Sequence, residues 1–305
     1  MATAEDDEID ALRRRGFAIA YRMLGSVGDA EDVVQEALLR LHRARAAGER
    51  IESPQAYVST VVTRLAIDQL RSARARREQY VGEWLPEPLV TATDDLPPER
   101  AELADSLSFA FLVLLESLTP EQRAALLLRD VFDYPYDEVA AIVGKSEDNA
   151  RQLATRARKA VEARRPRFDA SRERRDALAD RFFAAAAEGD LAGLEALLAD
   201  DVALHGDGGG KVPALARALS GANRVARTLV NWAKAGRRFG GPFVRRVDLN
   251  GQPGALLLDA DGRLFGAMTL EIADGRVQAI HSVVNPDKLA HLGQVADMQA
   301  LLRGE

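Results

Sequence analysis

The sequence predicts a multidomain protein in which two all-α modules precede a C-terminal α+β domain. Three observations carry this prediction. Apolar residues recur at helical spacing through the first 80 residues, a proline-rich acidic stretch follows at 80–99, and the last third has short strand patterns separated by Asp-Gly pairs. The 305 residues are enough for two or three domains.

Composition excludes several classes of protein. With 47% hydrophobic and 29% charged residues the chain is globular, and its lack of cysteine excludes disulfides, thiolate catalysis and cysteine-ligated zinc. Four scattered histidines argue against a metal site, and we expect no cofactor. The acidic N-terminus and the absence of a long apolar run predict a cytoplasmic protein without membrane contact. Because the net charge is −6, any role in binding nucleic acid would have to be local, as at the basic stretches 71–77 and 151–176, for which solvated helix faces are the alternative.

Residues 1–80 are predicted to form a small helical bundle. Gly25 ends the first helix, and Asp29 is a candidate N-cap for the second. A third helix begins at Ser53, with Pro54 at its first position. Proline, threonine and acidic residues then indicate an extended linker over 81–101.

The second module, 102–168, contains a capping box at Thr119-Pro-Glu-Gln122 and a helix-turn-helix pattern at 136–155. Val139, Ala140 and Val143 would be buried, Gly144 would allow the turn, and Ser146 would cap the second helix. That helix presents polar side chains of the types that read base edges or bind phosphates: Glu147, Asn149, Arg151, Gln152, Thr155, Arg156 and Lys159. The alternative is an ordinary helical hairpin with a solvated face.

The C-terminal domain is predicted over 177–292, with a tail at 293–305. Helices are expected at 182–188 and up to 198, and strands at 202–205, 243–249, 254–259, 263–272 and 276–284. Asp261-Gly262 and Asp274-Gly275 are signals for two-residue hairpins. These features indicate a meandering sheet packed with helices.

The two helical modules together resemble a known family. Residues 17–41, with the run Gly-Asp-Ala-Glu-Asp-Val-Val-Gln-Glu, and the stretch from Ser53-Pro-Gln-Ala-Tyr57 to Arg77 resemble region 2 of extracytoplasmic-function (ECF) sigma factors. Residues 118–129 and the helix-turn-helix resemble their region 4. The resemblance implies a non-enzymatic protein that binds core RNA polymerase, through its clamp helices and flap, and directs promoter-specific initiation.

The resemblance also implies site residues. Contacts to the clamp helices of the largest polymerase subunit are expected from Asp29, Asp32, Gln35 and Glu36, whose alternative role is helix capping and solvation. Contacts to the −10 element are expected from Arg64, Asp68, Arg71 and Arg74, and solvated arginine is the alternative there. Contacts to the −35 element are expected from Ser146, Glu147, Asn149, Arg151, Gln152, Thr155, Arg156 and Lys159.

The C-terminal domain looks like a SnoaL-like domain of the NTF2 type, an α+β cone around a pocket. Three segments resemble an ECF subgroup in which this domain is a fused regulator: Trp84-Leu85-Pro86-Glu87-Pro88, Asp207-Gly208-Gly209-Gly210-Lys211 and Asn285-Pro286-Asp287-Lys288-Leu289. A tryptophan on an extended proline-containing linker is a suitable anchor, and a glycine loop allows close approach. We therefore expect linker and loop to pack together and to set the distance between the two DNA-reading modules.

Other functions stay open from the sequence. SnoaL-like folds include enzymes, for which His205, Asp207, Lys211 and His281 would be the acid–base groups, although a lone strand histidine is more often structural. A small molecule in the pocket could bias docking of the linker. A regulator that binds DNA without polymerase is a third class, which the region 2 resemblance disfavours.

Overall fold

The computed structural model describes residues 4–77, 80–91, 107–162, 171–237, 241, 243–298 and 300. The chain divides into two compact units. One comprises Met1–Glu78 and Phe111–Arg165, and the other comprises Gln79–Ala110 and Pro166–Glu305. The linker that joins the two helical modules in sequence therefore belongs to the same unit as the C-terminal domain.

The first unit is all-α, as predicted. Its described helices are α1 (Ala4–Leu24), α2 (Val27–Ala46), α3 (Pro54–Arg77), α4 (Phe109–Leu115), α5 (Pro120–Leu126), α6 (Tyr136–Val143) and α7 (Glu147–Glu162). Helix α4 begins in the second unit, and a π-helical turn follows α5 at Leu127–Val131. Helices α1, α2 and α3 pack on one another as the predicted bundle.

Helix termini follow local side-chain chemistry. The capping box at Thr119 is confirmed, since the Thr119 and Gln122 side chains each accept a bond from the backbone N–H of the other. The prediction that Asp29 caps α2 is wrong: Ser26 is the N-cap, and its hydroxyl accepts from the Asp29 N–H at 3.2 Å. Gly25, at φ 67°, ends α1 so tightly that α2 begins two residues later, which puts Asp29 in the first turn.

The helix-turn-helix has its own apolar cluster. Val139, Ala140, Ala150 and Ala154 are buried between α6 and α7, and Gly144 ends α6 in the left-handed conformation. Ile142, rather than the predicted Val143, is the fully buried residue at the end of α6, and Val143 is half-buried.

The second unit is the predicted α+β domain. Its described helices are α8 (Arg172–Glu188), α9 (Leu191–Leu197), α10 (Ala222–Arg237) and α11 (Pro286–Leu289). Its strands are β1 (Leu198–Asp207), β2 (Leu219–Ser220), β3 (Phe243–Leu249), β4 (Gln252–Leu258), β5 (Leu264–Ala273) and β6 (Arg276–Val283). The sheet order is β2-β1-β6-β5-β4-β3, and the pair β1–β6 is parallel while the other pairs are antiparallel.

The core of this unit lies between the helices and one face of the sheet. Phe182 and Phe183 of α8 and Leu229 of α10 pack there with strand residues such as Leu204 and Ile280. Because successive strand residues point to opposite faces, the residues that alternate with these lie on the other face of the sheet. The outer face carries the linker, as described below.

The turns confirm part of the strand predictions. Asp274 (φ 51°) and Gly275 (φ 69°) form the two-residue turn expected between β5 and β6. The Asp261-Gly262 hairpin exists, but the prediction of a two-residue loop is wrong, because the Asp259 carboxylate accepts from the Asp261 and Arg263 N–H groups and closes a longer loop. Helix α10 is absent from the sequence predictions.

Candidate polymerase, promoter and linker sites

The four residues expected to contact core polymerase lie along α2. Asp32 and Gln35 are exposed, and Asp29 and Glu36 are half-buried. Glu36 accepts a hydrogen bond from Arg40 at 2.7 Å. Sequence reasoning did not identify Leu39, which lies one turn beyond and is 42% exposed. A single exposed leucine is common on protein surfaces, and its place on the same helix makes it a candidate for the same contact.

The residues expected to contact the −10 element lie on α3. Arg64, Asp68 and Arg71 are exposed and spaced along one helix face, while the side chain of Arg74 is outside the described residues. The Arg64 guanidinium donates to the Ala141 and Ile142 carbonyls of α6 at 2.8 and 3.1 Å.

The Arg71 side chain is also engaged with the second module. It donates to Glu121 of α5 at 2.6 Å as well as to Asp68 at 3.1 Å. The side-chain bond to Glu121, together with the charge of that carboxylate, raises the pKa of Arg71. Both arginines that are described on this face of α3 thus bond the second helical module.

Buried polar contacts join the same two modules. The Tyr134 hydroxyl donates to Ser59 of α3 at 2.8 Å, and the Arg123 guanidinium donates to the Met23 carbonyl of α1 at 2.6 Å. Burial lowers the pKa of Arg123 to about 9. Because a buried guanidinium without partners is costly, this bonding specifies one arrangement of the modules within the first unit.

All eight residues expected to read the −35 element are exposed on or beside α7. The Ser146 hydroxyl accepts from the Asn149 N–H at 3.3 Å and so caps the helix. Arg151 bonds Glu147 at 2.5 Å and stacks over the Tyr136 ring at 4.4 Å, which orients its guanidinium. Gln152, Thr155, Arg156 and Lys159 complete the exposed face.

The linker lies on the C-terminal domain, and Asp207 at the end of β1 is the centre of that contact. Its carboxylate is fully buried and accepts from the Tyr80 hydroxyl at 2.5 Å, the Leu85 N–H at 2.8 Å and the Lys288 ammonium at 2.6 Å. The Gly209 N–H donates to the same carboxylate at 3.0 Å. Burial, then the bond to Asp207, raises the pKa of Tyr80 above its usual value.

Lys288 of α11 holds the linker from the other side. Its ammonium donates to the Leu85 carbonyl and lies 4.3 Å from the centre of the Trp84 ring. Leu85 is completely buried, Pro86 and Pro88 are buried, and Glu87 is half-buried. Asn285 caps α11 and donates to the Tyr80 hydroxyl at 2.9 Å. We call Asp207, Asn285 and Lys288 the linker clamp.

The glycine loop beside the clamp leaves no room for side chains. A Cβ on Gly209 would lie 2.2 Å from the Asn285 amide nitrogen, and one on Gly210 would lie 2.9 Å from the Val81 Cβ of the linker. A Cβ on Gly208 would meet the Val212 carbonyl oxygen at 2.3 Å. The loop is tied to α11 by Lys211, which bonds Asp287 at 2.5 Å; Pro286 is half-buried and Leu289 is fully buried.

The linker continues along the edge of the sheet. The Thr91 N–H donates to the Asp248 carbonyl at 3.0 Å, and Val90 pairs with Leu249 in an antiparallel bridge beside β3. The His291 ring nitrogen lies 2.8 Å from the Pro88 carbonyl oxygen. Tyr80, Asn250 and His291 are linker-holding residues that sequence reasoning did not identify; Asn250-Gly251 between two strands is a hairpin signal that could have directed attention to this turn.

The candidate acid–base groups lie on the outer face of the sheet under the linker. His205 and His281 are paired in register on β1 and β6, and their rings stack at 4.9 Å. His205 lies 2.7 Å from the Glu83 carboxylate of the linker, and His281 lies 2.5 Å from Glu271. Burial raises the pKa of Glu83, but the hydrogen bond and charge of His205 outweigh burial, so that pKa is lowered.

A cavity of about 410 Å³ lies on the opposite, helix-covered face of the sheet. Its wall is mainly apolar and includes Phe182, Leu229, Trp232, Leu257 and Met268. His205, Asp207, Lys211 and His281 are not among the residues that line it. Its described polar side chains are Ser282 and Asp259, and the Asp259 carboxylate is paired with Arg263 at 2.8 Å.

Comparison with known families matches both helical modules. The model of Sigma-70 region 2 matches residues 9–76, and the model of Sigma-70, region 4 matches residues 108–161. Among the described residues, no helix combines the length and apolar character needed to cross a membrane.

Relatives match almost the whole chain. The chain is 41% identical over 297 residues to ECF RNA polymerase sigma factor SigJ of Mycobacterium tuberculosis, covering 93% of each chain. It is 32% identical over 275 residues to the probable ECF RNA polymerase sigma factor SigI of that species, covering 89% of this chain and 90% of the relative. The crystal structure of M. tuberculosis SigJ superposes with a TM-score of 0.74 at 38% identity, covering 93% of this chain and 98% of that one.

Proposed function

The chain belongs to the ECF RNA polymerase sigma factors, which act in transcription initiation, and on that basis we propose how its surfaces divide the work. The α2 face with Asp32, Gln35 and the exposed Leu39 binds core polymerase. The α3 face with Arg64 and Arg71 binds the −10 element, and α7 binds the −35 element. The single observation that best supports this division is that each predicted residue whose side chain is described is partly or fully exposed on its helix.

The two DNA-reading modules are individually weak and become selective on polymerase. A chain of net charge −6 has little bulk attraction to DNA, so core polymerase supplies most of the affinity. Two linked readers gain effective concentration only when their linker spans both sites. Promoter choice therefore depends on the linker as well as on base contacts.

Transcription with purified core polymerase tests this division. The protein should support initiation from a matched promoter while showing little sequence-specific binding without the polymerase. Replacing Arg151 and Gln152 by Ala should weaken −35 recognition without weakening core binding, and Glu162→Ala at the exposed end of the same helix is the control. Tight binding to promoter DNA by the protein alone, or equal loss of core and −35 binding, would contradict the proposal.

Promoter DNA competes with contacts inside the first unit. Arg64 and Arg71 bond the second helical module through the Ala141 and Ile142 carbonyls and Glu121. Because these guanidinium groups cannot bond DNA phosphates and their partners on α5 and α6 at once, engagement of the −10 element requires the modules to separate at this contact. Free sigma factor is thus held in a closed arrangement that polymerase and DNA open.

The C-terminal domain tunes transcription by holding the linker. The buried contact of Asp207 with Tyr80, Leu85 and Lys288 is the observation that supports this regulatory role. A linker bound along a folded domain has one defined conformation, whereas a free linker samples many conformations. Holding or releasing it changes the separations that the two modules can adopt.

Variants of the linker anchor test the regulatory role. Trp84→Ala removes the ring beneath Lys288 and should change the yield of promoter-specific transcript while both helical modules stay folded. Val90→Ala, at an exposed linker position, is the matched control and should leave the yield unchanged. An unchanged yield with Trp84→Ala would remove the docking proposal.

The cavity binds an uncharged, largely apolar small molecule that biases the clamp. Its volume lies in the range of ligand sites, and its one described carboxylate is neutralised by Arg263. Gly206 and Val284 line the cavity, and each immediately precedes a clamp residue, Asp207 and Asn285. The Val284 and Asn285 N–H groups also donate to the Asp207 carbonyl. A ligand that displaces the cavity-lining residues Gly206 and Val284 would therefore displace the linker clamp as well.

Titration with the neutral dye Nile red tests the cavity. Saturable, blue-shifted emission is expected, and Ala186→Phe, which fills the cavity from α8, should abolish it. Ala184→Phe, on an exposed position of the same helix, should bind like the original protein. Equal binding by both variants would place the dye elsewhere and contradict the proposal.

A further inference from the structure

Asn250 bonds two stretches of backbone, one in the linker and one after it, that are 18 residues apart in sequence. Its side-chain oxygen accepts from the Leu89 N–H at 2.9 Å, and its side-chain nitrogen donates to the Leu107 carbonyl at 3.1 Å. Its own N–H donates to the Leu89 carbonyl at 2.8 Å. The residue is fully buried, so these bonds are not exchanged for bonds to water while the linker is docked.

Neighbouring bonds fix both ends of this contact. Thr91 pairs with Asp248, and its hydroxyl accepts from the Gly251 N–H at 3.1 Å. After Leu107, Ser108 is buried and the Phe109 ring stacks on His281 at 5.5 Å. The backbone is therefore held in place on both sides of this contact, at Thr91 before the intervening segment and at Phe109 after it.

The backbone of Asn250 suits this task. It lies at φ 56° in the turn between β3 and β4, followed by Gly251 at φ 71°. Asparagine tolerates this left-handed conformation better than most residues, and the strands hold the turn rigidly. The amide can accept and donate at once, which is what bonding a backbone N–H and a backbone carbonyl requires.

We propose that Asn250 is a positioning residue that makes the preferred promoter spacing independent of the length of segment 92–106. This inference rests on the proposed sigma function. Because residues 89 and 107 are bonded to one side chain, the path between the modules runs through Asn250 and bypasses the intervening segment. The specificity for the separation of the −35 and −10 elements is then set by the docked parts, 80–91 and 107–109.

Insertions combined with an Asn250 variant test the proposal in the full-length chain. Gly-Ser-Gly-Ser is inserted after residue 95, alone and together with Asn250→Gly, which keeps the left-handed turn and removes only the side chain. Asp274→Gly, in the equivalent turn between β5 and β6, is the matched control. Run-off transcription with core polymerase is measured on promoters whose −35 to −10 spacing differs by single base pairs.

The expected result is a spacing optimum unchanged by the insertion alone, or by the insertion with Asp274→Gly. With Asn250→Gly the insertion should raise relative yield several-fold at non-optimal spacings. A shifted optimum with the insertion alone would overturn the proposal, and so would an unchanged profile with Asn250→Gly plus the insertion. Loss of promoter-specific transcription by the unmodified protein would instead refute the sigma function, so the two failures are distinguishable.

Discussion

Replacement of Asp207 by Ala should release the linker from the C-terminal domain. The carboxylate is the shared acceptor for Tyr80, Leu85 and Lys288, and it is fully buried while the Lys288 side chain is 8% exposed. Alanine removes every one of these acceptor sites. The Lys288 ammonium would then stay buried without its carboxylate partner, next to the Leu85 carbonyl and the Trp84 and Tyr80 rings.

The magnitude follows from the buried ion pair. Removing one partner of such a pair typically costs about 3–5 kcal/mol, because the remaining charge is uncompensated. When the linker undocks, the Lys288 ammonium becomes accessible to water. The lost free energy therefore weakens linker docking rather than unfolding the domain. At about 1.4 kcal/mol per tenfold change, docking should weaken by roughly two to four orders of magnitude.

Amide hydrogen exchange measures this change at the Leu85 N–H, which donates to Asp207 and is exposed only when the linker leaves. Its exchange should accelerate by the same factor, while core amides of β5 keep their protection. Asp201→Ala, at an exposed position of β1, is the control and should leave Leu85 unchanged. Unchanged exchange at Leu85 in Asp207→Ala would refute the reasoning.

A double replacement separates the ion pair from the rest of the contact. Lys288→Met alone should weaken docking, since it leaves the Asp207 charge buried. Combining it with Asp207→Asn replaces both charges and should cost much less than the sum of the single changes. Strictly additive effects would contradict the assignment of an interacting pair.

The remaining predictions concern three other contacts. Tyr134→Phe removes the buried bond to Ser59 and should lower the free energy of unfolding of the helical unit by about 1–2 kcal/mol in urea, through the unpaired serine. Gly209→Ala should loosen the linker, because its Cβ would collide with the Asn285 amide at a positive φ, and trypsin should then cut the linker faster. Raising the pH should undock Tyr80, whose pKa is above its usual 10.0: docking is intact below pH 10 and is lost progressively above it, as Trp84 fluorescence in Trp232→Phe should report.

Each of these predictions has its own control. Tyr57→Phe, another tyrosine of the helical bundle, should leave the stability of the helical unit unchanged if Tyr134 acts through Ser59. Gly275→Ala is strained at a similar φ of 69° but lies in the turn before β6, at the opposite end of that strand from Asn285. Equal proteolysis of the two variants would show that backbone strain alone causes the effect. Tyr80→Phe should abolish the alkaline change in Trp84 fluorescence; persistence of the change would assign it to another group.

Local signals in the sequence predicted much of the fold. Thr119 and Gln122 satisfy each other's N–H groups, and Asp274-Gly275 adopts the positive φ values of its turn, because these preferences involve only neighbouring residues. Helix α10 also has a local signal, because its buried apolar residues recur at helical spacing: Val225, Ala226, Leu229 and Val230. This helix lies between a glycine-rich and an arginine-rich stretch, and the sequence analysis did not predict it. The prediction of an Asp29 cap failed because Ser26, three residues earlier, caps the helix and accepts from the Asp29 N–H, which places Asp29 inside the first turn.

The linker site was only partly predictable. Trp84 and Asp207 were expected to pack together from the resemblance of their segments to a subgroup with a fused regulator, and the structure places both beside Lys288. Asn250 bonds residues more than a hundred positions away in sequence, so no local pattern indicates its partners. The hydrogen bond from Arg64 to α6 joins two helical modules that each fold from local sequence patterns. Because it depends on how the modules pack, neither local pattern indicates it.

A reversible lock on the linker tests the central claim most directly. The chain has no cysteine, so Val81→Cys and Gly210→Cys would introduce its only thiols, at positions where the two Cβ atoms would lie close enough for a disulfide after a small adjustment. Transcription with purified core polymerase is compared for the oxidised and reduced forms, with both single-cysteine variants as controls. The account predicts a several-fold difference in promoter-specific yield between oxidised and reduced double variant and none in the controls. Equal yields from the locked and released linker would contradict it.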